Sequence, residues 1–178
     1  MEVSDRSIAL VSAPVTWRRT ATLMTFAALA LALGVLVYHT DRVTIHLPLL
    51  RAVAWPAGRH LFGAAGGSLP SFLHPFAFSL ATAAAWRPGL SRRRAACAGW
   101  CAVNLAFEIG QHPAFKATWA QALRTSAGES AIVRAVLNYL LGGTFDVGDL
   151  AAVVLGALAA AAVLRAVDNR EERCHATQ

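Results

Sequence analysis

Four stretches of the chain are rich in apolar residues and nearly free of charge, and polar, arginine-bearing segments separate them. They lie near residues 21–38, 69–86, 95–111 and 147–165. A helix needs roughly 20 residues, and at least about 17, to cross the hydrocarbon core of a bilayer. The first stretch has that length without a charge, and each of the others reaches it with a few flanking residues. The pattern therefore predicts an all-α, polytopic membrane bundle of about four transmembrane helices.

Two of the connecting segments carry apolar patterns of their own. Residues 43–64 mix apolar positions with Arg and His, and residues 129–141, ESAIVRAVLNYLL, place apolar side chains at helical spacing. Gly142 and Gly143 then end the second segment. We expect short helices in these outer loops, lying in the interface plane or packing over the bundle.

The arginines divide the chain into two sides. Clusters precede the first stretch, join the second to the third and follow the fourth: Arg6, Arg18, Arg19; Arg87, Arg92, Arg93, Arg94; Arg165, Arg170, Arg173. The positive-inside rule then places both termini in the cytoplasm of a bacterial inner membrane. Residues 1–20 become a cytoplasmic N-terminal segment, 21–167 a four-span membrane domain and 168–178 a cytoplasmic tail.

Composition agrees with lipid as part of the solvent. The chain is 56% hydrophobic and 15% charged, whereas soluble proteins average about a quarter charged residues. Its net charge of +6 is interpreted as an orientation signal and a contact with anionic lipids, not as a nucleic-acid surface.

The first stretch is also open to interpretation as a secretory signal, with Ala30 before a cleavage site. Its apolar run continues past Ala30, beyond the about 7–15 residues usual for such signals. We interpret it as a retained span. The three cysteines match neither a disulfide framework nor a zinc pattern, and we expect no metal and no cofactor.

The third stretch carries Asn104, Glu108 and Gln111 on one helical face. Polar residues inside a span are functional hypotheses by default. The alternative is a stripe that hydrogen-bonds neighbouring helices, which we favour for Asn104 and leave open for Glu108. In the second stretch, Pro75 removes a backbone hydrogen bond beside His74. His74 is then either a packing residue or a partner of an acid.

The fourth stretch opens with GTFDVGDL, residues 143–150. Thr144 or Asp146 can cap the helix, and Asp149 suits the positive end of its dipole. Capping explains one aspartate better than two. If both face Glu108, they form an acidic site near the outer face that could bind a cation, share a proton, or hold an amine or sugar headgroup.

Three segments together resemble the VanZ-like family of bacterial membrane proteins: SLPSFLHPFAFSL (68–80), NLAFEIGQ (104–111) and GTFDVGDLAAVVLGALAA (143–160). The second is similar to the family's Glu-x-x-Gln at the outer end of a span, and the third to its Asp-Leu stretch. Val153 stands where the family usually has Asn. The resemblance implies a membrane-embedded site with Glu108, Gln111 and Asp149, and it implies no particular substrate.

The expected function is a VanZ-like cell-envelope protein that binds an envelope lipid or its headgroup. Its candidate site residues are Glu108, Gln111, Asp146, Asp149, His74 and Asn104. Glu108 would be the proton-exchanging acid, Asp149 its partner and His74 a further donor. The alternatives are a small proton-coupled transporter or a non-catalytic scaffold.

The expected partners are membrane lipids, with a second copy or an envelope protein as further candidates, and no nucleic acid. A dimer could use the small-residue stripe Ala152, Gly156 and Ala160. Whether the chain is an enzyme stays open. That class ranks last because no nucleophile or metal motif is present in the sequence.

Overall fold

The protein is all-α over the residues that the computed structural model describes, namely 17–41, 61–86, 89–125 and 130–176. Six helices, α1 to α6 in chain order, span Trp17–Asp41, Ala65–Ala85, Leu90–Gly110, Lys116–Thr125, Ala131–Gly142 and Val147–Ala176. One 3-10 turn, Pro113–Phe115, precedes α4. These ranges contain no strand, which confirms the all-α prediction.

Helix α2 lies at the centre of the bundle. It packs along α1 on one side and α6 on another, and it also contacts α3, which in turn packs on α6. The core between them contains Leu23 of α1, Leu73 and Leu80 of α2, and Leu164 of α6. Small residues on α2, such as Ala77, are fully buried, so its neighbours approach the helix axis closely.

At Gly156 the helices α6 and α2 approach each other closely. A Cβ at this position would overlap the main-chain oxygen of Phe72. Gly156 and Ala160 are both buried within the chain, so this part of the small-residue stripe makes an internal helix contact.

The helices are longer than the apolar stretches that predict them. Helix α3 begins at Leu90, ahead of the arginines 92–94, and α6 runs through 168–176, which the sequence assigned to a tail. Likewise α1 begins at Trp17, inside the predicted N-terminal segment. The physical reason is that Arg is a good helix former, so apolarity marks the part of a helix suited to lipid and not the end of the helix.

The connecting segments show one agreement and one omission. Helix α5, Ala131–Gly142, occupies the segment 129–141 that was predicted to contain a short helix. Helix α4, Lys116–Thr125, was not predicted, because it is short and polar on average and buries no residue. Residues 42–60, which carry most of the other predicted loop helix, lie outside the described residues.

Among the residues that the structure describes, two helices are long and apolar enough to cross a membrane, judged by length and composition: Trp17–Asp41 and Val147–Arg170. In their most apolar windows only 28% and 33% of the residues are buried inside the protein. Large apolar side chains such as Leu29 and Leu158 are therefore exposed, at 63% and 61%. Helices α2 and α3 do not meet the same criterion.

Candidate functional site

A cavity of about 1010 Å³ lies among α2, α3 and α5, at the end of the bundle where α1 ends and α6 begins. Its lining combines polar and aromatic side chains from five helices and the link after α5. The lining residues are Tyr38; Ser71, His74, Phe78; Trp100, Val103, Asn104, Phe107, Glu108, Gln111; Ala135, Val136, Asn138, Tyr139, Gly142; Gly143, Thr144; and Asp149.

Five of the six candidate residues from the sequence line this cavity, and Asp146 does not. Asp146 is exposed, and its Oδ1 accepts a hydrogen bond of 2.7 Å from the backbone N–H of Gly148. It therefore caps the N-terminus of α6, which is the alternative that the sequence left open. In the described part of the chain, the carboxylates that line the cavity are those of Glu108 and Asp149.

The two carboxylates are at the C-terminal end of α3 and the N-terminal end of α6. Glu108 lies in the last turn of α3, is 8% exposed, and its Oε1 accepts a 3.1 Å hydrogen bond from the Ser71 hydroxyl of α2. Asp149 lies in the first turn of α6 and is also 8% exposed. Its Oδ1 is buried and has no hydrogen-bond partner in the described part of the chain. Sequence reasoning missed Ser71, since a serine in an apolar helix gives no signal of its partner.

Gln111 occupies the rim of the cavity and explains the glycine that follows α5. The Gln111 side chain is 5% exposed and lies against Gly143. A Cβ at Gly143 would overlap the Gln111 amide, although the backbone of Gly143 has an ordinary φ of −74°. The close approach of the amide therefore requires this glycine, beyond its role in ending the helix.

An aromatic wall forms the other part of the cavity. Tyr38, His74, Phe78 and Trp100 stack in that order, with ring centroids 6.5, 5.9 and 4.8 Å apart. Trp100 is held in place because its indole N–H donates to the Thr82 hydroxyl at 2.8 Å. The His74 ring lies between those of Tyr38 and Phe78. The sequence did not predict this stacking.

The carboxylates and Gln111 lie at one end of the cavity, together with the aromatic Phe107 and Tyr139, and Phe78 and Trp100 line the other end. Its lining on α3 runs from Gln111 to Trp100, which is about 16 Å at 1.5 Å per residue. Between these two, the Asn104 amide donates to the carbonyl of Trp100 in its own helix at 2.8 Å. This bond lies within α3 and not between helices, so the interhelical hydrogen bond expected for Asn104 stays a prediction.

The rim is fastened by donors from the segment after α3. The Lys116 ammonium donates to the carbonyls of Leu141 and Gly143, both at 2.6 Å, and so satisfies the C-terminal end of α5. Trp119 of α4 does the same for α3 through a 2.7 Å bond to the Gly110 carbonyl. Lys116 is the only lysine of the chain, and the cavity lining contains no lysine or arginine among the described residues.

The opposite end of the bundle holds a buried ion cluster that the sequence did not reveal. Arg19, 2% exposed, and Arg93 lie 2.9 and 3.0 Å from the two carboxylate oxygens of Asp168. Arg19 also donates to the Ala83 carbonyl at the end of α2, at 2.9 Å. From the sequence, Arg19 and Arg93 were interpreted as orientation signals. In the structure their ion pairs with Asp168 also join α1, α3 and α6.

Among the described residues no three His, Cys, Asp or Glu side chains are grouped so that they could hold a metal ion. Comparison with protein-family models, with curated proteins and with solved structures finds no match to this chain. The resemblance to the VanZ-like family therefore stays a prediction that rests on the three motifs.

Proposed function

We propose that this chain is a VanZ-like integral protein of the bacterial inner membrane that binds an envelope lipid in the cavity among α2, α3 and α5. The observation that carries the proposal is the polarity of that cavity. Its rim presents Glu108, Gln111 and Asp149, and its deeper wall presents Phe78 and Trp100. A lipid has the same division between a polar headgroup and an apolar chain.

Exposed apolar surface supports the membrane placement. Soluble proteins rarely expose large contiguous apolar patches, yet α1 and α6 direct bulky side chains such as Phe26, Leu29, Leu155 and Leu158 outward. In the proposed topology α2 and α3 also cross. Each has 21 residues, or about 31 Å at 1.5 Å per residue, which suits a hydrocarbon core about 30 Å thick.

The arginines set the proposed orientation. The described arginines near Arg19, Arg93 and Arg170 share one end of the bundle, and the positive-inside rule puts that end in the cytoplasm. Both termini are then cytoplasmic, and the rim with Glu108 and Asp149 lies near the outer leaflet. The cavity descends about 16 Å along α3, roughly half of the hydrocarbon thickness, so a headgroup at the rim leaves its chain beside the aromatic wall.

A binding site fits this geometry better than a transport path. The lining residues come from one half of the bundle, and in the other half Arg19, Arg93 and Asp168 are paired with one another. In this proposal Glu108 and Asp149 hold the headgroup and His74 is a further donor.

The direct test fills the cavity. Val136 of α5 lines it, whereas Val133 on the same helix, which is exposed to a similar extent, does not. Each is replaced by Trp, the proteins are purified in mild detergent, and the bound lipids are extracted and identified by mass spectrometry. We expect Val136→Trp to lose a lipid that wild type and Val133→Trp retain. Equal lipid content in all three proteins would contradict the proposal.

A test in cells addresses the acids. Glu108→Gln and Asp149→Asn are introduced into a strain that lacks the gene, and sensitivity to envelope-directed antibiotics is measured. Loss of complementation by either variant is expected, and full complementation by both would show that the acids have no such role.

The topology is tested by labelling. In a variant without native cysteines, Thr144→Cys at the rim and Ser91→Cys at the other end are exposed to an impermeant maleimide in intact spheroplasts. We expect Thr144→Cys to react at once and Ser91→Cys only after lysis. The reverse order would overturn the proposed orientation.

A further inference from the structure

Asp149 presents a buried acceptor that the protein itself does not satisfy. The residue is 8% exposed, it lines the cavity, and its Oδ1 has no partner among the described residues. Leaving a buried acceptor unsatisfied costs about 1–3 kcal/mol, and more when the group is charged. Buried polar groups in native proteins nearly always have a partner, so the geometry indicates a donor that enters from the cavity.

The charge of the lining indicates which kind of donor. Glu108 and Asp149 line the cavity, and none of its lining residues in the described part of the chain is a lysine or an arginine. The Lys116 ammonium is directed away, to the carbonyls of Leu141 and Gly143. The positive end of the α6 dipole stabilises a carboxylate at Asp149, but only by about 0.3–1 kcal/mol in exposed cases. An anionic headgroup would therefore meet two like charges.

An ammonium group would satisfy the unpaired Asp149 Oδ1 and would also oppose the negative charge of the lining. It supplies three N–H donors and no acceptor, and its charge opposes those of the carboxylates. A hydroxyl group would satisfy Asp149 Oδ1 and leave the charge uncompensated. The aromatic wall at Phe78 and Trp100, deeper than the acids, adds the requirement for an apolar chain next to the donor.

We infer that the cavity selects a lipid whose headgroup carries an amine, with the ammonium on Asp149 and Glu108 and the hydrocarbon chain along the aromatic wall. This inference rests on the proposed function and adds to it the chemical class of the headgroup. It excludes lipids whose only charged group is anionic.

The test uses Trp100 as a reporter inside the cavity. The protein in neutral detergent micelles is titrated with ω-bromododecylamine, whose bromine quenches a tryptophan that it contacts. The bromododecyl alcohol and sulfate of the same chain length are titrated in parallel. Quenching that disappears in Trp100→Phe is assigned to the cavity, which separates it from quenching of the other four tryptophans.

We expect the amine to half-saturate this quenching at a concentration about tenfold lower than the alcohol, and the sulfate to give no saturable quenching. Asp149→Asn should raise the half-saturation of the amine about tenfold and leave that of the alcohol unchanged. Asp149→Glu keeps the charge and should keep the preference for the amine. These isosteric or charge-conserving variants are checked for unchanged helical circular dichroism.

The outcomes separate the two proposals. If all three headgroups saturate the Trp100 signal equally, or if Asp149→Asn leaves the amine unaffected, the selection of an amine is wrong while the lipid cavity stands. If none of the three gives a saturable signal, the lipid cavity itself is wrong. Displacement of the bromododecylamine by an equal concentration of ethylamine would show that no chain is needed, which also overturns the inference.

Discussion

Each end of the bundle contains an aspartate that is buried to the same extent, but the two aspartates differ in their partners. Asp168 and Asp149 are both 8% exposed. At one end, the two oxygens of Asp168 lie 2.9 and 3.0 Å from Arg19 and Arg93. At the other, Asp149 Oδ1 has no partner in the described part of the chain. Equal burial with unequal pairing separates an acid that holds helices together from an acid whose Oδ1 has no partner among the described residues.

The comparison also shows where the stability of each end originates. The ion cluster of Asp168 joins three helices through charged side chains, with Arg19 reaching the end of α2 as well. The cavity end depends on other contacts, such as Lys116 on the α5 carbonyls and Gln111 against Gly143. If this division is correct, the same substitution at the two aspartates must have different effects.

The largest expected effect is that of Asp168→Asn. It removes the charge opposite a buried Arg19, and breaking a buried ion pair at one partner costs about 3–5 kcal/mol. We expect a loss of about 3 kcal/mol in the free energy of unfolding, because the asparagine oxygen still accepts one bond. The measurement is reversible unfolding in mixed detergent and dodecyl sulfate micelles, followed by helical circular dichroism.

Asp149→Asn is the matched control for that substitution. It should change the free energy of unfolding by no more than about 1 kcal/mol in either direction, since the only loss is a favourable helix-dipole contact and no ion pair to Asp149 exists in the described residues. Equal losses at the two positions would break the distinction between the two ends.

Gly156→Ala is expected to give the next largest effect. It tests the contact of α6 with α2, which lies between the two ends of the bundle. A Cβ here overlaps the main-chain oxygen of Phe72, which cannot rotate away as a side chain could, so α6 must shift from α2. Overpacking a core costs about 1–3 kcal/mol, and we expect a loss of about 2 kcal/mol in the same unfolding measurement.

Gly99→Ala controls for the glycine itself. Apart from its own helix backbone and chain neighbours, no described residue lies within 4 Å of a Cβ built at Gly99, and Ala is the better helix former by about 1 kcal/mol. This variant should therefore be slightly more stable than wild type. A stabilising Gly156→Ala would mean that α2 and α6 do not touch at this point.

Local sequence patterns predicted the polar face of the cavity end well. Asn104, Glu108 and Gln111 all reach the cavity because their spacing follows the helical period, which is set by the backbone alone. The pair Asp146 and Asp149 shows the limit of such arguments. Their spacing is also compatible with one face, but the helix begins at Val147, so Asp146 stays outside as a cap and only Asp149 turns inward.

Features that depend on distant residues could not be predicted. Arg19 and Asp168 are 149 positions apart, and neither has a neighbour in sequence that indicates the other. Only the packing of α1 against α6 and α2 brings them together. The contact of Ser71 with Glu108 and the stack of Tyr38 on His74 have the same origin. The crossing of the membrane by α2 and α3 stays a prediction.

Lys116→Met is expected to weaken only the cavity end. The ammonium makes two 2.6 Å bonds to α5 carbonyls, and hydrogen bonds to charged groups contribute about 1.5–3 kcal/mol. Because Lys116 is half-buried, we expect the low end of that range, about 1.5 kcal/mol. Hydrogen exchange should show faster exchange in α5 and no change near Asp168. Arg124→Gln, an exposed position on α4, should leave both regions unchanged, and equal acceleration in the two variants would contradict the role of Lys116.

The smallest expected effect is at Asp146, which caps α6. It distinguishes this residue from Asp149, which lies three residues later and lines the cavity. Asp146→Ala removes the acceptor for the Gly148 N–H and should lower the free energy of unfolding by about 1 kcal/mol, as for other N-caps. Asp146→Asn keeps an acceptor and should be neutral. Neither variant should shift the half-saturation of bromododecylamine by more than about twofold, because Asp146 is exposed and does not line the cavity. If Asp146→Asn weakens the amine as strongly as Asp149→Asn does, the amine responds to the summed negative charge of this end, and the buried oxygen of Asp149 has no special part in holding it.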